Sequence, residues 1–278
     1  MRTKTLAARP CALAIGGLDP GGGAGIAADL RAFHAAGVFG CAVVAVVTVQ
    51  STDGLVASRP LAPSLVVEQA SEVVRVENVR AFKLGALGSV SNVRAVAKWL
   101  RTLGDVPVVL DPVMLPTRGR AGARLLSESA VTVMRDVLLP CATLVTANAP
   151  EAEALTGARV HTVTEAIRAA RAIVALGAKA ALVKGGHLGT RRDVVDVLAF
   201  GEGAAVELRG ARLALAPTHG GGCVLASLIA GGLAGRRTDA VSRSDIEAAV
   251  RRARRTHQRA LEGAIHVGGA MRVLVPRA

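Results

Sequence analysis

Tyrosine is absent from this 278-residue chain, and four Phe and one Trp are its only aromatic side chains. That scarcity excludes the aromatic stacking platforms on which single-stranded nucleic acids are bound. Cysteine is also rare. The four cysteines, Cys11, Cys41, Cys141 and Cys223, lie far apart with no C-x-x-C pair, which excludes a zinc ribbon and a disulfide framework. The six histidines are dispersed, without H-E-x-x-H spacing. No G-x-x-x-x-G-K-[ST] occurs, so a P-loop is excluded. No apolar run is long enough to span a bilayer. The first ten residues lack the apolar stretch of a signal peptide, and read as a short disordered arm of a cytoplasmic protein. Lysine stands only at positions 4, 83, 98, 179 and 184, so the net charge of +13 is almost wholly arginine. With the densest cluster (Arg251, Arg252, Arg254 and Arg255) on one late helix, that charge reads as a solvated face. Neither a nucleic acid nor a membrane is expected as a partner.

What the chain does have is apolar sequence, 51% of its residues, organised in alternation. Strand-length runs at 13–15, 41–49, 108–111, 143–146 and 180–184 are separated by helix-period segments at about 24–36, 64–77, 90–103, 163–176, 223–235 and 244–262. The 41–49 run is apolar on both faces and predicts a central strand. The last helix predicts a capping box at Ser244 and Glu247. Strand-helix alternation argues for an α/β domain over residues 11–278, with a mostly parallel sheet covered on both faces. Ligands then bind beyond the carboxyl ends of the strands. Asp111, Asn148, Glu151, Lys184 and Cys223 all fall at or just past such ends.

Two glycine-rich turns precede helices. Gly220-Gly221-Gly222-Cys223 runs into an apolar helix, and a helix start with bare N–H groups favours an anion, most often phosphate. Cys223 at the mouth of that cradle is where a thiol pKa tends to fall, although a buried structural cysteine fits equally. Gly21-Gly22-Gly23 reads as a loop closing over a small substrate or as a plain turn. Asp111 reads as a Mg²⁺ carboxylate or as a turn aspartate. Glu151 reads as a metal partner or as an acid in the first turn of a helix. Lys184, before Gly185 and Gly186, can reach a nucleotide phosphate or lie on the surface. Asp193 and Asp196 read as solvent-facing.

In order and spacing, these elements resemble a known family. Gly-Gly-Gly-Ala-Gly-Ile-x-Ala-Asp-Leu (21–30), Gln50, Lys83-x-Gly85, Leu110-Asp111-Pro112-Val113-Met114, Asn148-x-Pro150-Glu151, Val183-Lys184-Gly185-Gly186-His187 and Thr218-His219-Gly220-x-Gly222-Cys223 are similar to the motifs of hydroxymethylpyrimidine/phosphomethylpyrimidine kinases, over about residues 11–270. The resemblance implies a ribokinase-like three-layer α/β/α sandwich, ATP with Mg²⁺, a pyrimidine substrate and a homodimer. It implies that Gln50 bonds the aminopyrimidine edge and that Gly17, Asp29, Ala86 and Val113 line the same pocket. Asp111 and Glu151 would lie near Mg²⁺, and Lys184, Thr218 and His219 near ATP. Cys223 would take the position of the base, with Gly220, Gly221 and Gly222 completing an anion hole.

The chain departs from the family pattern at Gly221 (usually Thr), Ala86 (usually Met), Leu18, Ser51 and residues 116–118. These departures bear on substrate identity more than on fold. Pyridoxal kinase, a catalytically weakened pyrimidine sensor and, on charge alone, a nucleic-acid binder are the competing expectations.

Overall fold

The computed structural model describes residues 8–114, 118, 127–188, 193–213, 216–236 and 240–277. The elements run β1 (Cys11–Leu18), α1 (Gly25–Ala35), β2 (Phe39–Ser51), β3 (Gly54–Pro60), α2 (Pro63–Val76), β4 (Val79–Leu84), α3 (Val90–Leu100), β5 (Val108–Leu110) and α4 (Glu128–Val133). They continue with β6 (Leu144–Ala147), α5 (Ala149–Thr156), α6 (Val163–Ala175), β7 (Ala180–Val183), β8 (Asp193–Phe200), β9 (Val206–Ala211), β10 (Thr218–His219), α7 (Gly221–Ala234), α8 (Arg243–Glu262) and β11 (Arg272–Val273).

Among the described residues, one sheet has the order β3-β2-β1-β4-β5-β6-β7-β8-β9. The strands from β2 to β7 in that order pair in parallel, while β3, β8 and β9 join antiparallel at the margins. This is the expected mostly parallel sheet between two helical layers. The 41–49 run is not a central strand, however. It lies in β2, one place from the edge, and its end overhangs β1 as a hairpin with β3. Val47 and Val49 are exposed there. The expected cap at Ser244 moves two residues earlier, to a reciprocal box between Ser242 and Asp245.

Side chains alternate across a strand, so parity decides which layer each one meets. Leu13, Ile15, Phe82, Leu84, Leu110 and Val145 face a core shared with α2, α3 and α6. Ala12, Ala14, Ala81, Val109, Leu144 and Ala180 face the opposite core, shared with α1, α7 and α8. Alanine predominates on this second face and lets α7 approach closely. α7 is apolar on all sides and almost wholly buried. Gly231 admits α1: a Cβ there would meet the Ala36 methyl at 2.6 Å.

Lys83 has the parity of Ala81, and so its ammonium enters the α1/α7 layer. There it bonds both oxygens of Asp29 at 3.0 Å, and Ser227 Oγ donates to Asp29 Oδ1 at 2.7 Å. All three are fully or almost fully buried. Burial opposes the Lys83 charge, but the Asp29 carboxylate outweighs it and holds the ammonium above the ordinary lysine range. A buried pair contributes little net stability, while stranding one partner costs about 3–5 kcal/mol. Asp29→Leu should therefore lower unfolding free energy by about that much, and adding Lys83→Met should recover most of it. Urea unfolding of the single and double variants checks this.

Candidate active site

The carboxyl ends of β1, β4, β5, β6 and β7 open into a cavity of about 680 Å³, within the size range of small-ligand sites. Its wall carries Gly17, Asp19, Gln50, Lys83, Ala86, Asp111, Val113, Glu151, Lys184, Thr218, His219, the Gly220–Cys223 turn and His257. The structure thus gathers nearly every residue singled out in the sequence. Asp29 is the exception. It is fully buried beneath the floor, paired to Lys83, and does not line the pocket.

Strand parity explains the gathering. Asp111, Lys83 and Lys184 share the parity of the residues facing α7. Lys184 Nζ lies 3.5 Å from Asp111 Oδ1 and 3.6 Å from Glu151 Oε2. Glu151 is the first-turn acid of α5: it closes a capping box with Asn148, at 2.7 and 2.8 Å, and its carboxylate also faces Lys184. Burial lifts the Glu151 carboxyl above its usual range, Lys184 pulling back and Asp111 adding to the lift. Burial opposes the Lys184 charge, but Glu151 and Asp111 keep its ammonium above the usual range.

Asp111 Oδ2 is buried without a hydrogen-bond partner, and a Cβ at Gly222 would come within 3.7 Å of it. A buried, unpartnered carboxylate oxygen beside a second carboxylate fits a divalent cation. Among the described residues no cluster of three or more metal-ligating side chains exists. Mg²⁺ suits such a site, because it is typically held by one or two carboxylates with waters and substrate phosphates.

Two helix N-termini converge opposite these groups. Neither Ala24, before α1, nor Gly220, before α7, supplies a side-chain cap. Gly220 is left-handed, at φ 79°, and a Cβ there would strike the Gly23 carbonyl. The Gly25 N–H is directed at the Cys223 sulfur. Of the two readings of Cys223, the raised pKa favours the buried one. Burial pushes its thiol up to about 12, and Lys83 only partly offsets this, so the cysteine is a thiol rather than a thiolate at neutral pH. His219, expected near ATP, places Nε2 2.8 Å from Asp19 Oδ2 and 2.9 Å from the Gln50 carboxamide.

His257 and Asp196 were missed in the sequence or misjudged. His257 falls on the inward stripe of α8, in helical register with Ile246, Val250, Ala253 and Ala260, and that periodicity was the available signal. Burial lowers its pKa to about 4, so the neutral ring donates Nε2–H to the Gly221 carbonyl at 2.9 Å. Asp196 does not face solvent. It accepts Gly185 N–H at 2.6 Å and Arg254 Nε at 2.7 Å, tying the Lys184 loop to α8. Residues 116 and 117 lie outside the described residues.

Solved structures share this arrangement of sheet and helices. An ADP complex of Bacillus subtilis pyridoxal kinase matches with a TM-score of 0.82 and 28% identity, covering 96% of this chain and 97% of that one. Phosphomethylpyrimidine kinase from Clostridium difficile 630 matches with a TM-score of 0.75 and 31% identity, covering 91% and 99%. The fold and the cavity define a ribokinase-like small-molecule kinase. The sequence model described as phosphomethylpyrimidine kinase matches residues 19–274. The hydroxymethylpyrimidine/phosphomethylpyrimidine kinase of Streptomyces coelicolor is 43% identical over 225 residues, 81% of each chain. That of Escherichia coli is 39% identical over 220 residues, 79% of this chain and 81% of the relative. The chain belongs to the phosphomethylpyrimidine kinase family.

The neutral His257 makes stability depend on pH. Its pKa is depressed on folding, so the unfolded chain binds the proton more readily. Stability should fall as pH drops from about 6.5 towards 4, and the effect should vanish above that window. His257→Gln should flatten the slope of unfolding free energy between those pH values, as measured by urea titration.

Proposed function

We propose that this protein transfers the γ-phosphoryl group of ATP to the hydroxymethyl oxygen of 4-amino-5-hydroxymethyl-2-methylpyrimidine, and then to the monophosphate, yielding the diphosphate used in thiamine biosynthesis. The observation that carries this reading is a single cavity lined both by Gln50, Gly17, Ala86 and Val113 and by a lysine, two carboxylates and an uncapped helix start.

In each transfer an acceptor oxygen forms a bond to the γ-phosphorus as the bond to the bridging oxygen breaks and ADP leaves. When bound, Mg²⁺ neutralises charge on the phosphate oxygens, and Asp111 and Glu151 are the residues that would hold it. Lys184 adds a fixed cation beside them. The backbone N–H groups at the start of α7 hold the transferring group, aided by the helix dipole. His257 fixes this turn from behind, through Gly221.

The two acceptors make different demands. A hydroxymethyl group must lose a proton, and on this reading Cys223 takes it in the fraction of molecules whose thiol has already ionised to the thiolate; a phosphate acceptor is already ionised and needs positioning and charge neutralisation. Cys223→Ala should lower the first transfer by about 10²–10⁴-fold and the second by under about tenfold. Equal losses in both would remove the cysteine from proton transfer. With the thiol held at about 12, the first transfer should also accelerate with pH from 7 to 9 and the second should not. Initial rates with each acceptor, products resolved by mass, check both expectations. Pyridoxal belongs in the same assay, since a structural neighbour is a pyridoxal kinase; phosphate on pyridoxal alone would reassign the substrate.

ATP as the donor fits a cytoplasmic enzyme. A homodimer is part of the same proposal, supported by the exposed Val47, Val49 and Val56 on the β2–β3 hairpin. Light scattering should give twice the chain mass, and Val49→Lys should return it to one.

A further inference from the structure

One ring nitrogen of His219 faces two partners, and only one assignment of hydrogens satisfies both. Asp19 is buried, and its Oδ1 and Oδ2 accept the Gly21 and Ala24 N–H groups at 2.9 and 2.8 Å. Burial alone would raise the Asp19 carboxyl, but these bonds and that of His219 outweigh it and lower its pKa, so it is ionised and can only accept. The His219 Nε2 lying 2.8 Å from Asp19 Oδ2 therefore carries the hydrogen.

Gln50 reaches the same Nε2 at 2.9 Å with its carboxamide nitrogen, which would set donor against donor. A half-turn of the amide, whose nitrogen and oxygen are nearly isosteric, puts Oε1 there instead. His219 Nε2–H is then shared between Asp19 and Gln50 Oε1. His219 Nδ1 is buried without a partner.

We propose that Asp19 and His219 are positioning residues that turn the Gln50 carboxamide so that its NH₂ group faces the cavity, making the acceptor pocket selective for a heteroaromatic alcohol that presents a ring-nitrogen lone pair. The proposal rests on the kinase reading above for its substrate class, and on hydrogen-bond geometry for the network itself. The same two residues hold the glycine-rich turns together. A Cβ at Gly23 would enter the His219 ring, and one at Gly220 would strike the Gly23 carbonyl.

Nitrogen-15 NMR of histidine-labelled protein without ligand reads the tautomer directly. His219 should be protonated at Nε2 in the wild type and in Gln50→Glu; an Nδ1–H tautomer would overturn the proposal. The kinetic test compares the pyrimidine alcohol with analogues in which each ring nitrogen in turn is replaced by C–H. In the wild type one replacement should raise acceptor KM about tenfold or more. In His219→Phe, which keeps the ring but frees the amide, the penalty should shrink below about threefold, with pyrimidine KM raised and ATP KM nearly unchanged. Asp19→Asn should behave alike, and thermal unfolding of both variants separates this loss from failure to fold. An unchanged penalty in both folded variants would overturn the proposal. If the wild type transfers no phosphate to the pyrimidine, the activity reading fails, and the tautomer still decides the network.

Discussion

Everything at this site depends on the burial of one helix. α7 is surrounded by the sheet, α1 and α8, and its apolar sequence leaves it no solvent face. A helix held on every side has a fixed N-terminus, and in the proposed function that terminus is where the phosphoryl group sits. The contacts that fix it are specific. Gly231 brings α1 close, Ser227 anchors to the Asp29–Lys83 pair, and His257 grips the first turn from α8. Four unsatisfied N–H groups at a buried helix start call for a partner, and the cavity places that partner opposite Lys184, Asp111 and Glu151.

The electrostatics of the cavity follow from the same burial. The lysines keep their charges because each faces carboxylates across a short distance, while Cys223, lacking a strong cationic contact, is held as a thiol. Two sets of groups thereby line the cavity. One is a dense set of fixed charges around Lys184, which the proposed function assigns to phosphates. The other is a hydrogen-bonding cluster built on Asp19, His219 and Gln50, which it assigns to the acceptor.

Much of this was legible in the sequence because it follows from periodicity. The apolar runs at 180–184 and 108–111 put Lys184 and Asp111 at strand ends, and the glycine turn before an apolar run marks the cradle. What was not legible depends on contacts distant in the chain. Asp29 reads as a pocket residue until Lys83, more than fifty positions away, is seen to bury it. Asp196 reads as solvent-facing until Arg254 and Gly185 converge on it. The β2 run, apolar on both faces, reads as central because sequence cannot show that its end overhangs its neighbour as an exposed hairpin. Cys223 was left open between two readings for the same reason. A helix start argues for a depressed pKa and burial for a raised one, and only the fold shows that burial prevails. His257, by contrast, was available to helical periodicity.

The alanines that line the α7 face of the sheet have a consequence for how such a chain can change over time. Ala12, Ala14, Ala81 and Ala180 are fully buried and do not line the cavity. Each nevertheless sets the spacing between sheet and helix, and protein interiors have no slack to absorb an added methyl group. Enlarging any of them pushes α7 outward and carries the phosphate cradle with it, a displacement to which transfer chemistry is far more sensitive than folding. Drift at these positions is therefore constrained by turnover rather than by stability, and the smallest side chains in the sheet are as much a part of the enzyme's chemistry as the lysines at its edge.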